Sequence, residues 1–191
     1  SGNVREGVAL LRENERISID ADKVTSIATL LSDWDNSAVD VDKRLIIAIK
    51  NKDVDVINEG ARLLLKAKGQ VESKEYVLTR TEQGMEKHIS FSTGDRIVFN
   101  ASSKELNISN GDFGKLTCIN ENQFRVKLDS GGDDIVFNPN EFAGFKHGYA
   151  STIYKAQGAT IRDVYVLHDG FAGLKNSYVA MSRHVEDLHL Y

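Results

Sequence analysis

Apolar residues recur with a helical period three times in the first 70 residues of the chain. Residues 4–16 carry apolar side chains at 4, 8, 10 and 11 among charges, which predicts a short amphipathic helix. Ile17-Ser-Ile19 reads as a brief strand, and Ser18 or Asp22 can cap a helix beginning just after it. Lys23–Trp34 aligns Val24, Ile27, Leu30, Leu31 and Trp34 on one stripe, which predicts a second helix with Trp34 in the core. A polar connector, Asp35–Asp42, leads to Arg44-Leu-Ile-Ile-Ala-Ile49. This continuous apolar run predicts a strand buried on both faces of a parallel sheet. Asp53–Lys66 returns to the helical period, with Val54, Ile57, Ala61, Leu64 and Leu65 on one face. Asp53 is the expected N-cap, and Lys66, Lys68 and Gly69 mark the helix end. Strand, short loop and helix make half of a β-α-β unit.

The pattern changes after Gly69. Short alternating runs occur at Glu75–Arg80, Asp95–Asn100, Gly114–Asn120, Gln123–Leu128 and Asp134–Asn138. Turn signals separate them at Asn110-Gly111, Glu121-Asn122 and Ser130-Gly-Gly132, and the only proline, Pro139, closes the series. These runs predict a small antiparallel barrel of SH3-like type. From His147 the α/β pattern returns, with a helix around 149–156, a strand at 163–167, a helix around 177–184 and a final strand Asp187–Tyr191. The expected architecture is therefore an α/β domain in two parts, residues 1–70 and 147–191, interrupted by a β-barrel at 71–146. Parts of roughly 70 and 45 residues would each struggle to bury a core alone, which favours one shared sheet.

Composition narrows the class. The chain is 41% hydrophobic and 27% charged, as in ordinary globular proteins. One cysteine, Cys118, excludes a disulfide framework and a cysteine-based zinc site. No apolar run nears the roughly 20 residues of a membrane helix and no secretory signal is visible, so a cytoplasmic chain or excised part of one is expected. The net charge of -4 argues against tight nucleic-acid binding by this piece alone, though not against local phosphate contacts.

Two stretches near the C-terminus carry the candidate chemistry: Gly148-Tyr-Ala-Ser-Thr-Ile-Tyr-Lys-Ala-Gln-Gly158 and Tyr178-Val-Ala-Met-Ser-Arg183. Taken alone, Gln157-Gly158 is also a helix C-cap, Tyr154 a core aromatic and Arg183 a helix-end salt-bridge residue. His184 and His189, with His147 or His168, lack the carboxylate or cysteine spacing of a metal site, so no metal centre is expected. His88 reads as a solvated loop residue, and Asp133-Asp134 as an acidic hairpin turn.

The first stretch resembles motif V of RecD-like superfamily-1 helicases, and the second resembles motif VI. Gly94-Asp-Arg-Ile-Val-Phe99 and Asn110-Gly-Asp-Phe-Gly114 resemble the opening of the SH3-like insertion in that family's second motor domain. Arg44–Ala61, with its strand-Asp53-x-x-x-x-Asn58-x-x-Ala61 pattern, is similar to the element preceding it. The ending Ser182-Arg183-His184-x-x-Asp187-x-His189-x-Tyr191 is most similar to the helicase part of TraA/MobA-type conjugative relaxases.

The resemblance implies a RecA-like, P-loop-NTPase-type parallel sheet: the second motor domain of an ATP-dependent DNA helicase. Arg183 would be its catalytic arginine finger, and Gln157 and Gly158 would join it in sensing ATP. Thr152, Tyr154 and Lys155 would touch single-stranded DNA, and Lys104, Asn107 and Asn110 of the barrel could lie beside the strand. No G-x-x-x-x-G-K-[ST] phosphate loop occurs, nor an Asp-Glu pair after an apolar strand to hold magnesium, nor a histidine triad or tyrosine cluster of a nicking site. ATP and Mg2+ would therefore be held mainly by a first motor domain of the same polypeptide. A monomeric fragment, inactive in hydrolysis by itself, is expected. The competing reading is a degenerate helicase-like module that binds DNA or a protein without catalysis.

Overall fold

The computed structural model describes residues 21–82, 84–152, 161–168 and 187–191. The elements expected at 4–16, 17–19 and 177–184 lie outside these residues. The chain divides into two compact units, the described residues of Ser1–Leu64 with Tyr149–Tyr191, and Leu65–Gly148.

In the first unit the helical stripes fold as expected. Helix α1 (Ala21–Asn36) buries Ile27, Leu30, Leu31 and Trp34 completely. After a 3-10 turn at Val41–Lys43 comes β1 (Arg44–Ala48), buried along its whole length. Helix α2 (Asn51–Ala67) is next and inserts Val54, Ile57 and Ala61 into the core. Asp53 lies inside the first turn of α2 and is not its N-cap. It pairs there with Lys23 Nζ at 2.6 Å, where the helix dipole also favours a negative charge.

Three more strands complete a parallel sheet: β9 (Ala150–Ser151), β10 (Asp163–Leu167) and β11 (Asp187–Leu190), in the order β11-β10-β1-β9. Arg44 pairs in register with Asp163 and Ala48 with Leu167, so β1 and β10 align from end to end. The helix expected around 149–156 is corrected at its start. Ala150 and Ser151 are extended, because pairing with Ile46 and Ile47 of β1 overrides the local preference.

At the opposite end of the sheet, the Arg44 guanidinium lies 4.6 Å over the Trp34 ring and donates to the Trp34 carbonyl. Burial pushes the Arg44 pKa down, while Tyr165 and the carboxylates of Asp35, Asp163 and Asp40 pull it back up. The Tyr191 hydroxyl donates to Asp33 Oδ2 at 2.7 Å. Burial and that bond hold the phenol above its ordinary range.

The second unit is antiparallel. A hairpin pairs β2 (Tyr76–Glu82) with β3 (Met85–Phe91). A separate five-stranded sheet has the order β7-β6-β5-β4-β8. Its strands are β4 (Arg96–Phe99), β5 (Phe113–Asn120), β6 (Gln123–Leu128), β7 (Ile135–Phe137) and β8 (Phe145–His147). Both sheets feed one core, in which Leu78 and Phe91 of the hairpin meet Ile97, Phe99, Leu116, Phe124, Val126, Phe137 and Phe145.

The sequence did not reveal β3 or β8. β3 is exposed on both faces over most of its length, so it lacks apolar alternation, and β8 has only three residues. His88 therefore sits on a strand and not in a loop, although it is exposed as expected, with Nδ1 3.0 Å from Thr79 Oγ1. Gly148, directly after β8, has no room for a side chain. A Cβ there would lie 2.6 Å from the Ile97 carbonyl carbon, and its N–H donates to the Arg96 carbonyl at 2.9 Å.

Candidate functional site

In open sheets with parallel strands, ligands gather beyond the carboxyl ends of the strands. Here that edge is formed where β1 ends at Ala48, β10 at Leu167 and β9 at Ser151. The N-terminus of α2 begins on the same side of β1, three residues after its end. From β9 the chain leaves through Thr152, half-buried, into residues 153–160.

Edge strand β9 is held from both sides. On one side the Ile46 N–H donates to the Tyr149 carbonyl at 3.1 Å. On the other, the side chain of Asn58 acts as a substitute strand: its Nδ2 donates to the Ala150 carbonyl at 3.1 Å, and the Ala150 N–H donates to its Oδ1 at 2.8 Å. Asn58 is buried, and both hydrogen-bonding ends of its amide are used. The Tyr149 ring packs edge-on against Trp34 with centroids 6.1 Å apart. The point from which residues 153–160 depart is thus fixed by backbone pairing, a side-chain amide clamp and an aromatic contact. Ser151 lies beside this clamp with its hydroxyl fully buried and without a hydrogen-bond partner among the described residues.

Of the residues singled out from sequence, Thr152 falls at this edge. Tyr154, Lys155, Gln157, Gly158 and Arg183 lie outside the described residues. In the antiparallel unit, Lys104, Asn107 and Asn110 are all exposed on the connection between β4 and β5. Asn107 adopts a left-handed φ of 53°, and the Asn110 N–H donates to Ser102 Oγ at 2.9 Å. Asp133 and Asp134 are exposed on the turn between β6 and β7.

Two of the histidines pack against rings. His147 stacks on Phe91 at 4.4 Å, with Nε2 3.7 Å from Asp95 Oδ2, and His189 stacks on Tyr165 at 4.6 Å. Among the described residues no group of three His, Cys, Asp or Glu side chains is arranged to hold a metal ion. No helix among them is long and apolar enough to cross a membrane. Sequence reading overlooked the roles of Asn58 and Ser151. The signal for Asn58 was present: it interrupts the apolar face Val54–Ala61–Leu65 with an amide that must find partners once buried.

The fold defines the class. A Bacteroides Pif1 helicase solved with ADP-AlF3 and single-stranded DNA superposes with a TM-score of 0.58 at 20% identity, covering 98% of this chain and 48% of that one. Bacteroides Pif1 bound to single-stranded DNA gives 0.55 at 20% identity, over 83% of this chain and 44% of that one. The chain therefore shares its fold with part of these Pif1 helicases. No protein-family model matches it.

Its sequence relatives are more specific. The conjugal transfer protein TraA of Rhizobium radiobacter is 33% identical over 192 residues, and that of Agrobacterium fabrum 34% identical over 194, each match covering 100% of this chain. The chain is homologous to a segment of the TraA conjugal transfer proteins, and it spans 17% of the length of each of these relatives.

Proposed function

We propose that this chain is the second motor domain of an ATP-driven DNA helicase within a conjugative relaxase of the TraA type. The observation that carries the reading is the end-to-end match to a segment of TraA, combined with a motif V-like stretch that leaves the carboxyl edge of a parallel sheet at a rigidly held strand. Residues 152–158 come directly after β9. Thr152, Tyr154 and Lys155 supply hydroxyl and ammonium groups suited to the phosphates of single-stranded DNA, with the Tyr154 ring suited to stacking. Gln157 and Gly158 close the same stretch, where an amide and a bare backbone can approach a phosphate.

Arg183 acts as the arginine finger, placing its guanidinium against the charge that develops on the transferring phosphoryl group. The nucleotide and Mg2+ are held mainly by a first motor domain that supplies the phosphate loop. Single-stranded DNA and that domain are the partners, and the antiparallel unit is an SH3-like barrel inserted between the two parts of the motor sheet. Clamping β9 through Asn58 keeps the DNA-contacting stretch in fixed register with the end of β1. A displacement at the nucleotide would then be passed to the strand track and not absorbed locally.

The isolated chain should show no ATP turnover above background, with or without single-stranded DNA, in a coupled ATPase assay. Robust turnover by the pure chain would overturn the division of the site between two domains.

A further inference from the structure

The antiparallel unit carries a broad groove of about 1180 Å³ whose chemistry is unlike a nucleic-acid track. Five glutamates line it, Glu72, Glu75, Glu105, Glu121 and Glu141, against one lysine, Lys74. Lys66 pairs with Glu75, and Asn138 Nδ2 donates to Glu141 at 3.0 Å. Glu72, Glu105 and Glu121 are exposed, and no ion pair or side-chain hydrogen bond engages their carboxylates among the described residues. Between the acids the lining mixes polar side chains, among them Asn120, Asn122, Gln123 and Asn138, with an apolar strip. Tyr76, Leu106, Phe137 and Phe142 contribute half-buried or buried rings and alkyl carbon, and Val136 is 39% exposed. Val136 lies on β7, which ends the five-stranded sheet and has a strand neighbour on one side only.

Three properties therefore coincide: unneutralised negative charge, an apolar strip within a polar lining and an open strand edge. A DNA or RNA backbone would bring phosphates against carboxylates and is repelled. A single metal ion needs converging ligands, and no such group of three is present among the described residues. An extended cationic peptide satisfies all three properties. Its backbone can pair with β7, its lysine or arginine heads reach the glutamates, and its methylene stems lie on Val136 and the rings.

We propose that this groove docks an extended lysine- or arginine-rich polypeptide segment of a protein partner, and that this face of the unit is closed to nucleic acid. The test uses the 191-residue chain and a fluorescein-labelled Lys-Val repeat peptide, monitored by anisotropy at low and high salt. A Glu-Val repeat peptide and a thymidine oligonucleotide serve as comparison probes. The Lys-Val peptide should bind in a salt-sensitive manner and shift the amide resonances of Val136 and Phe137. The joint replacement Glu72→Lys, Glu105→Lys and Glu121→Lys should weaken it by about tenfold or more. The corresponding Glu→Gln triple, which keeps shape while removing charge, should fall between the two. Equal binding to the charge-reversed chain, equal binding of the Glu-Val peptide, resonance shifts away from β7, or perturbation of the groove amides by the oligonucleotide would each overturn the proposal. All these readouts are independent of ATPase activity, so they stand apart from the motor reading.

Discussion

The two units bury their cores by different means. The parallel unit uses aliphatic strands covered by helices, with Leu45, Ile46 and Ile47 inaccessible on β1. Its less regular strand, β9, is held by a buried amide. The antiparallel unit is built around rings: Phe124 alone has Tyr76, Phe91, Phe137 and Phe145 within 5.4 to 6.0 Å between centroids. Aliphatic packing with polar clamps fixes backbone positions at a sheet edge, which is where the proposed coupling segment begins. Aromatic packing instead stabilises short, turn-rich strands whose outer faces remain free for charge. The contrast places positioning chemistry in one unit and a docking surface in the other.

Phe124→Ala should have the largest effect on stability, about 3–5 kcal/mol, because it opens a cavity at the meeting point of four rings. Amide hydrogen exchange along β5 and β6 measures it, and a loss below about 1 kcal/mol would deny the aromatic cluster its central role. Asn58→Ala should cost about 2–4 kcal/mol by leaving the Ala150 N–H and C=O buried without partners. Trp34 is the chain's only tryptophan and packs on Tyr149, so its emission during urea unfolding reports this loss directly. If the midpoint is unchanged, β9 does not depend on the clamp. Ser151→Ala should have the smallest effect, within about 1 kcal/mol and tending to stabilise, since it removes a buried hydroxyl that lacks a partner among the described residues. A clear loss would show that the hydroxyl is hydrogen-bonded in the folded chain.

The contrast also explains which elements are legible in the sequence. β1 is readable because a strand buried on both faces needs uninterrupted apolar residues, and α1 and α2 because one face of each enters the core. β5 and β6 are readable from the tight turn at Glu121-Asn122, across which Asn120 pairs with Gln123. β9 is not, because two residues carry no period and their extended form comes from Ile46, Ile47 and Asn58, all distant in the chain. β3 is hidden because its side chains meet solvent on both sides. Motif resemblance marks 148–158 and 178–183 as the candidate site. It does not mark Asn58 as the residue that fixes where the first stretch begins, since that role arises only from packing.

The central claim concerns Arg183, and the most direct measurement is single-stranded-DNA-stimulated ATP hydrolysis by a longer TraA-type parent that contains a phosphate loop, with and without Arg183→Ala. The expected result is a loss of hydrolysis of about a thousandfold or more with nucleotide binding largely retained, as for removal of an arginine finger. Unchanged hydrolysis in the variant would contradict the motor assignment and favour a module that binds without driving a motor.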